Sequence, residues 1–144
     1  MRVIDLRLAS RPDSVPDARR AIDQLDGMAS AACLDDARLL VSELVTNSVR
    51  HANLTEGQDI ELRADVEGGA LRVEVRDPGG GFELQPKTSK DHEDSGWGLY
   101  LVGRLAERWG ISADGSTMVW FEIPLRRGTG DTVTADIAPD APVV

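Results

Sequence analysis

The stretch Glu43-Leu44-Val45-Thr46-Asn47-Ser48-Val49-Arg50-His51-Ala52 (ELVTNSVRHA) sets an acid, an amide and an imidazole at positions 43, 47 and 51. Four-residue spacing stacks side chains along one stripe of an α-helix, so this row predicts a helix with a polar edge. Leu39, Leu40, Leu44 and Val45 supply a broad apolar face beside it. The helix is expected from about Asp35 to Ala52, with acids in its first turn and Arg50 and His51 in its last, as the helix dipole favours. A buried carboxylate and amide on one face need hydrogen-bond partners or a ligand. The Asn47 amide oxygen suits a hard cation such as Mg²⁺, and Glu43, one turn away, could orient or deprotonate a hydroxyl beside that ion. Taken alone, the row reads as well as a solvated polar stripe.

The flanking sequence predicts a single α+β domain. MRVIDLRLA, too short and too alternating for a signal peptide, reads as an edge strand over Arg2–Ala9. RPDSVP should turn, and a helix should follow from about Asp17 to Met28, with Gly27 near its end. DIELRADV alternates, pauses at EGG and resumes as ALRVEVRD, a β-hairpin signal with a glycine turn. Residues 78–98 read as a long loop, Leu99–Trp109 as a third helix, and ERWGISADG with STMVWFEIPL as a final hairpin. Trp109 and Trp120 are expected in the core, and the lone Cys33 is expected to be a small buried residue. Residues 126–144, rich in Gly, Pro, Asp and Thr, are expected to form a disordered tail behind a domain at 1–125. The order βαα, ββ, α, ββ predicts a two-layer sandwich, a mixed, mostly antiparallel sheet covered on one face by helices.

Charge narrows the function classes. With 25 acidic against 16 basic residues the formal charge is −9, which argues against nonspecific nucleic-acid binding and against attachment to anionic membranes. No apolar run reaches the ~20 residues that span a bilayer, and the cytoplasm is the expected location.

Two glycine-rich segments bear on the polar row. In DPGGGF, Asp77 ends an alternating strand, and the glycines after it permit positive φ and close approach of a flat ligand. A carboxylate fixed there can accept a hydrogen bond from an exocyclic amine such as that of adenine, although Asp-Pro-Gly is also an ordinary turn signal. In SGWGLYLVG, Gly96 and Gly98 precede a helix whose free N–H groups suit a phosphate, behind a polar loop that carries Lys87 and Lys90. Gly115-Ser116-Thr117 opens a strand where a hydroxyl could back the base.

ELVTN with His51, DPGGG, GWGL and GST, in this order, resemble the four sequence boxes of the histidine-kinase-like ATPase superfamily, the Bergerat ATP-binding fold. The resemblance covers roughly residues 10–125 and is greatest to bacterial anti-sigma factor serine kinases. It implies Glu43 as general base and Asn47 as the Mg²⁺ ligand. It further implies Asp77 at the adenine amino group, Gly79 and Gly81 shaping the base pocket, Gly96, Gly98 and Leu99 at the phosphates, and Thr117 beneath the adenine. The cofactors it implies are ATP and Mg²⁺. The implied partners are a small antagonist protein bearing the phosphoacceptor serine, a sigma factor and a second copy of the chain, with no direct nucleic acid and no membrane. His51 has no catalytic role in that pattern. Many relatives carry Arg between the last pair of glycines, where this chain has Trp97. Trp offers one N–H and an apolar face in place of a forked donor. The alternative implied by that departure is a partner-sequestering module that is weakly catalytic or not catalytic at all.

Overall fold

Alternation along five segments becomes a sheet with two unlike faces. A computed structural model of the chain describes residues 1–51, 57–79, 97–113 and 115–126, and of His51, Trp97 and Leu99 the backbone alone. Strands β1 (Arg2–Ala9), β2 (Asp59–Glu67), β3 (Ala70–Asp77), β4 (Arg108–Ala113) and β5 (Thr117–Pro124) lie in the order β1-β2-β3-β5-β4. All four strand pairings are antiparallel, so none of the parallel character allowed for by a mixed sheet is found among the described strands. Strand β1 is an edge, as its sequence predicts. Gly68 and Gly69, both at positive φ (61° and 79°), close the β2–β3 hairpin in the tight turn whose twist matches the strands.

The inner face is aliphatic. Ile60, Leu62 and Ala64 of β2, Leu71 and Val73 of β3, and Phe121 and Ile123 of β5 are fully buried beneath the helices. Helix α1 (Ser14–Asp23) packs on α2 (Ala31–His51) and β1, and α3 (Trp97–Leu105) packs on α2 and β4. Cys33, Leu40, Val41 and Val45 form the buried stripe of α2. Burying such side chains stabilises by roughly 1.5–3 kcal/mol each, which makes this seam the main source of stability. Cys33 is buried and forms no disulfide, as expected.

The outer face is charged, and opposite signs meet across it. Arg63 faces Asp5 on one side and Glu74 on the other, while Arg72 lies between Asp65 and Glu122. Arg72 reaches Glu74 at 3.1 Å and Glu122 at 3.2 Å. Half-exposed pairs of this kind contribute about 0–1 kcal/mol each.

Several helix limits differ from the sequence reading. Helix α1 begins at Ser14 rather than Asp17, because the Ser14 hydroxyl donates to the Ala9 carbonyl at 2.5 Å. Pro16 sits in its first turn, where no N–H is required. It ends at Asp23, and the Met28 and Ala29 amides fold back on the Leu25 carbonyl about Gly27, whose φ is 92°. Helix α2 starts at Ala31, not Asp35, because the Ser30 hydroxyl accepts the Cys33 amide at 3.2 Å as an N-cap. Asp35 and Asp36 therefore lie outside its first turn, and Leu39 is 41% exposed rather than part of the apolar face. Helix α3 spans Trp97–Leu105 instead of Leu99–Trp109, because the Glu107 amide bonds the Glu122 carbonyl and draws the next residues into β4. Of the predicted tail, only Arg126 lies within the described residues.

Trp109 is buried, as expected, but Trp120 is not a core residue. Its indole lies on the outer face with the Arg72 guanidinium 4.2 Å from the ring centroid. Gly110 makes room for it, since a Cβ there would lie 2.7 Å from the indole Nε1. Gly110→Ala should displace the ring and destabilise the fold by about 1 kcal/mol, the low end for overpacking because the ring can swing toward solvent. Denaturant midpoints and tryptophan emission test this, and an unchanged pair of readings would contradict it.

Candidate functional site

Three elements converge where β3 ends. Asp77 is the last residue of β3 and lies directly across from Thr117, the first residue of β5, both on the inner face. Asp77 is 2% exposed and Thr117 4% exposed. Helix α2 runs over this corner, and its Ser48 hydroxyl, itself buried, donates to Asp77 Oδ2 at 2.8 Å. Asn47, buried at 9% exposure, precedes it on the helix, and half-buried Glu43 lies one turn earlier. The Ser48–Asp77 hydrogen bond thus ties the helix that carries Glu43 and Asn47 to the end of β3.

The polar atoms at this corner are unequally satisfied. Thr117 Oγ1 donates to the Gly79 carbonyl at 2.9 Å, and the Gly79 amide supports the Asp77 carboxylate from two residues on. Asp77 Oδ1, by contrast, is buried without a hydrogen-bond partner. Leaving a buried acceptor open costs about 1–3 kcal/mol, more if charged. Burial pushes the Asp77 carboxyl above its ordinary range, while the Ser48 hydroxyl and then the Gly79 amide pull it back down. An open, desolvated acceptor at the end of a strand, next to a glycine, is a seat for a donor such as a ring amino group. The residues present therefore fit an adenine nucleotide.

The remaining predicted residues divide into two groups. Gly98 and Leu99 lie in the first turn of α3, among the N–H groups that a helix start leaves free. Gly81, Gly96, Lys87 and Lys90 are outside the described residues, as are the side chains of His51, Trp97 and Leu99. Thr117 meets the corner through the Gly79 carbonyl. Among the described residues no three His, Cys, Asp or Glu side chains gather as a metal site. Ser48 was missed by the sequence reading. Its signal was a hydroxyl one turn beyond Leu44 in an otherwise apolar stripe, a buried polar group in need of a partner.

The chain belongs to the histidine kinase-like ATPase domain family, which it matches over residues 8–123. It is similar to the serine-protein kinase RsbW of Listeria innocua serovar 6a, with 31% identity over 122 residues that cover 81% of this chain and 72% of the relative. The serine-protein kinase RsbW of Listeria monocytogenes serovar 1/2a is 32% identical over 123 residues, with the same coverage of 81% and 72%. Among solved structures it resembles the histidine kinase domain of the Erythrobacter litoralis EL346 blue-light activated histidine kinase, at a TM-score of 0.53 and 26% identity. That likeness covers 79% of this chain and 64% of the other, so the chain spans somewhat under two thirds of that structure. Among the described residues no helix is long and apolar enough to cross a membrane.

Proposed function

We propose that this chain is an ATP-binding protein serine/threonine kinase of the anti-sigma factor type, which phosphorylates a serine on a small antagonist protein. The observation that carries the nucleotide reading is the open, buried Oδ1 of Asp77. The similarity to serine-protein kinases supports the phosphotransfer reading. On the same reading the working protein is a cytoplasmic homodimer that also binds a sigma factor, with a catalytic domain at 1–125 and a separate tail at 126–144.

When bound, Mg-ATP supplies the transferable phosphoryl group and the cation that neutralises its charge. Asp77 accepts the base amino group through Oδ1, and Gly79 and Gly81 admit the flat ring close to the backbone. Thr117 holds the Gly79 carbonyl and so fixes the floor of that pocket. Asn47 would offer its amide oxygen to Mg²⁺. Glu43 takes the proton of the incoming serine hydroxyl, and the amides from Gly96 to Leu99 stabilise phosphate charge.

Titration calorimetry of the full chain with ATP, with and without Mg²⁺, tests this beside Asn47→Ala. The wild type should bind Mg-ATP, and the variant should lose the magnesium-dependent gain, about tenfold. A labelled γ-phosphate should then appear on a serine of the antagonist. A folded wild type that ignores millimolar ATP would sink the kinase reading. It would leave a partner-sequestering module, the reading that Trp97 between the glycines favours.

A further inference from the structure

Two hydroxyl donors at the Asp77 corner are engaged inside the protein. The Ser48 hydroxyl proton goes to Asp77 Oδ2 and the Thr117 hydroxyl proton to the Gly79 carbonyl, while the nearby Gly79 amide favours the ionised carboxylate. Among the oxygens of the Asp77 carboxylate, Oδ1 is left as the open acceptor toward a ligand. A carboxylate with both oxygens open suits two parallel donors, as in its bidentate pairing with arginine. Guanine presents such a neighbouring pair, a ring N–H beside an exocyclic amino group, whereas adenine presents one amino group beside an acceptor nitrogen.

We propose that Ser48 is a positioning residue that makes Asp77 a one-sided acceptor and so sets the preference of the pocket for a 6-aminopurine over a 6-oxopurine nucleotide. This rests on the nucleotide reading above. The Ser48 bond fixes the carboxylate rotation and keeps Oδ2 turned toward α2. A 6-oxo oxygen in place of the amino group would meet the lone pairs of Oδ1 and find no free donor among Ser48, Thr117 and Gly79. Unpaired buried polar atoms of this kind are what give hydrogen-bonding sites their strong discrimination. Because Ser48 follows Asn47 on the same helix, the contact also ties the base end of the site to its cation end.

The hydrogen bond has a signature that mere packing lacks. Around Asp77 the facing groups are Ser48 from α2, Thr117 from β5 and the Gly79 amide, none of them charged. Glu43, Arg50 and His51 are the titratable residues on the same half of α2, and no charge among the described residues contributes to the Asp77 shift. Removing the serine proton therefore leaves burial opposed by the Gly79 amide only, and the carboxyl should protonate at higher pH.

The test is calorimetry of Mg-ATP and Mg-GTP binding by the full chain from acid to neutral pH, followed through the titration of the raised Asp77 carboxyl. It compares the wild type with Ser48→Ala and Ser48→Cys. Cysteine keeps the size of serine and loses its strong donor. Both variants should bind ATP roughly tenfold more weakly, show a narrowed preference for ATP over GTP, and lose ATP on the acid side at higher pH than the wild type. Variants that keep the affinity, the preference and the pH profile of the wild type would overturn the role of Ser48 and leave the nucleotide reading standing. Loss with alanine but not with cysteine would assign the effect to volume and overturn it too. A wild type that binds neither nucleotide would overturn the nucleotide reading, and this role with it.

Discussion

Asp77→Asn should abolish measurable ATP binding, by on the order of 100-fold or more, while leaving the protein more stable at pH above the Asp77 titration. The asparagine oxygen can still accept from Ser48, which turns the amide NH₂ to the place of Oδ1, where the base amino group should sit. Donor then faces donor. The loss combines a hydrogen bond to a charged group, about 1.5–3 kcal/mol, with that mismatch. Stability moves the other way because burial raises the Asp77 carboxyl above its unfolded range. A raised carboxyl contributes stability fully below its unfolded pKa and loses it as pH rises through the folded one. Above its titration the ionised, 2% exposed side chain is therefore a net cost, and there the neutral isostere should gain on the order of 1 kcal/mol. That gain should shrink as pH falls through the Asp77 titration. Denaturant unfolding at neutral and acid pH measures the sign, and calorimetry measures the binding. A variant that binds ATP like the wild type would remove Asp77 from the base pocket.

Glu43→Gln should separate chemistry from binding. Glu43 is half-buried one helical turn before Asn47, and the proposed function gives it the serine hydroxyl rather than the base. Glutamine keeps its length and one acceptor oxygen but cannot take a proton. Phosphotransfer at saturating ATP should fall by about 1000-fold, within the range attributed to a positioned general base, while ATP affinity stays within about twofold. Single-turnover transfer to the antagonist reads the first quantity and calorimetry the second. Transfer at the wild-type rate would exclude Glu43 as the proton acceptor. The two substitutions thus give opposite patterns, Asp77→Asn in binding and Glu43→Gln in turnover.

The sheet was readable from sequence because its signals are local. Period-two alternation in DIELRADV and ALRVEVRD and a glycine pair between them fix both strands and the turn. Helix ends were not, because they depend on single capping contacts. The Ser30 hydroxyl moves the start of α2 by a turn, and the Ser14 bond to Ala9 pulls a proline into the first turn of α1. Trp109 continues the helical spacing of Leu105, yet the backbone of Glu107 has already joined β5. Only a long-range hydrogen bond separates the two outcomes.

The site shows the same division. Asp77 was legible as an acid stranded between an alternating strand and three glycines. Ser48 was not, because a four-residue stripe through Glu43 and Asn47 passes it by. Its partner lies 29 residues away on another element, and no spacing rule reaches that far. Trp120 was misassigned for a related reason. Its apolar neighbours suggest burial, but its register opposite Glu74 puts it on the charged face.

That charged face also guards the hairpin against mispairing. A one-residue slip of β3 along β2 would turn the aliphatic side chains to solvent, but a two-residue slip would keep every aliphatic residue inside. The inner face alone cannot reject it. In the native register Glu61, Arg63 and Asp65 oppose Arg76, Glu74 and Arg72. Slipped one way, Glu61 would meet Glu74 and Arg63 would meet Arg72; slipped the other way, Arg63 would meet Arg76 and Asp65 would meet Glu74. Each exchange of an attractive cross-strand pair for a repulsive one shifts the balance by up to about 1–2 kcal/mol. The alternating signs act as a checksum on strand alignment, and that alignment is what sets Asp77 opposite Thr117.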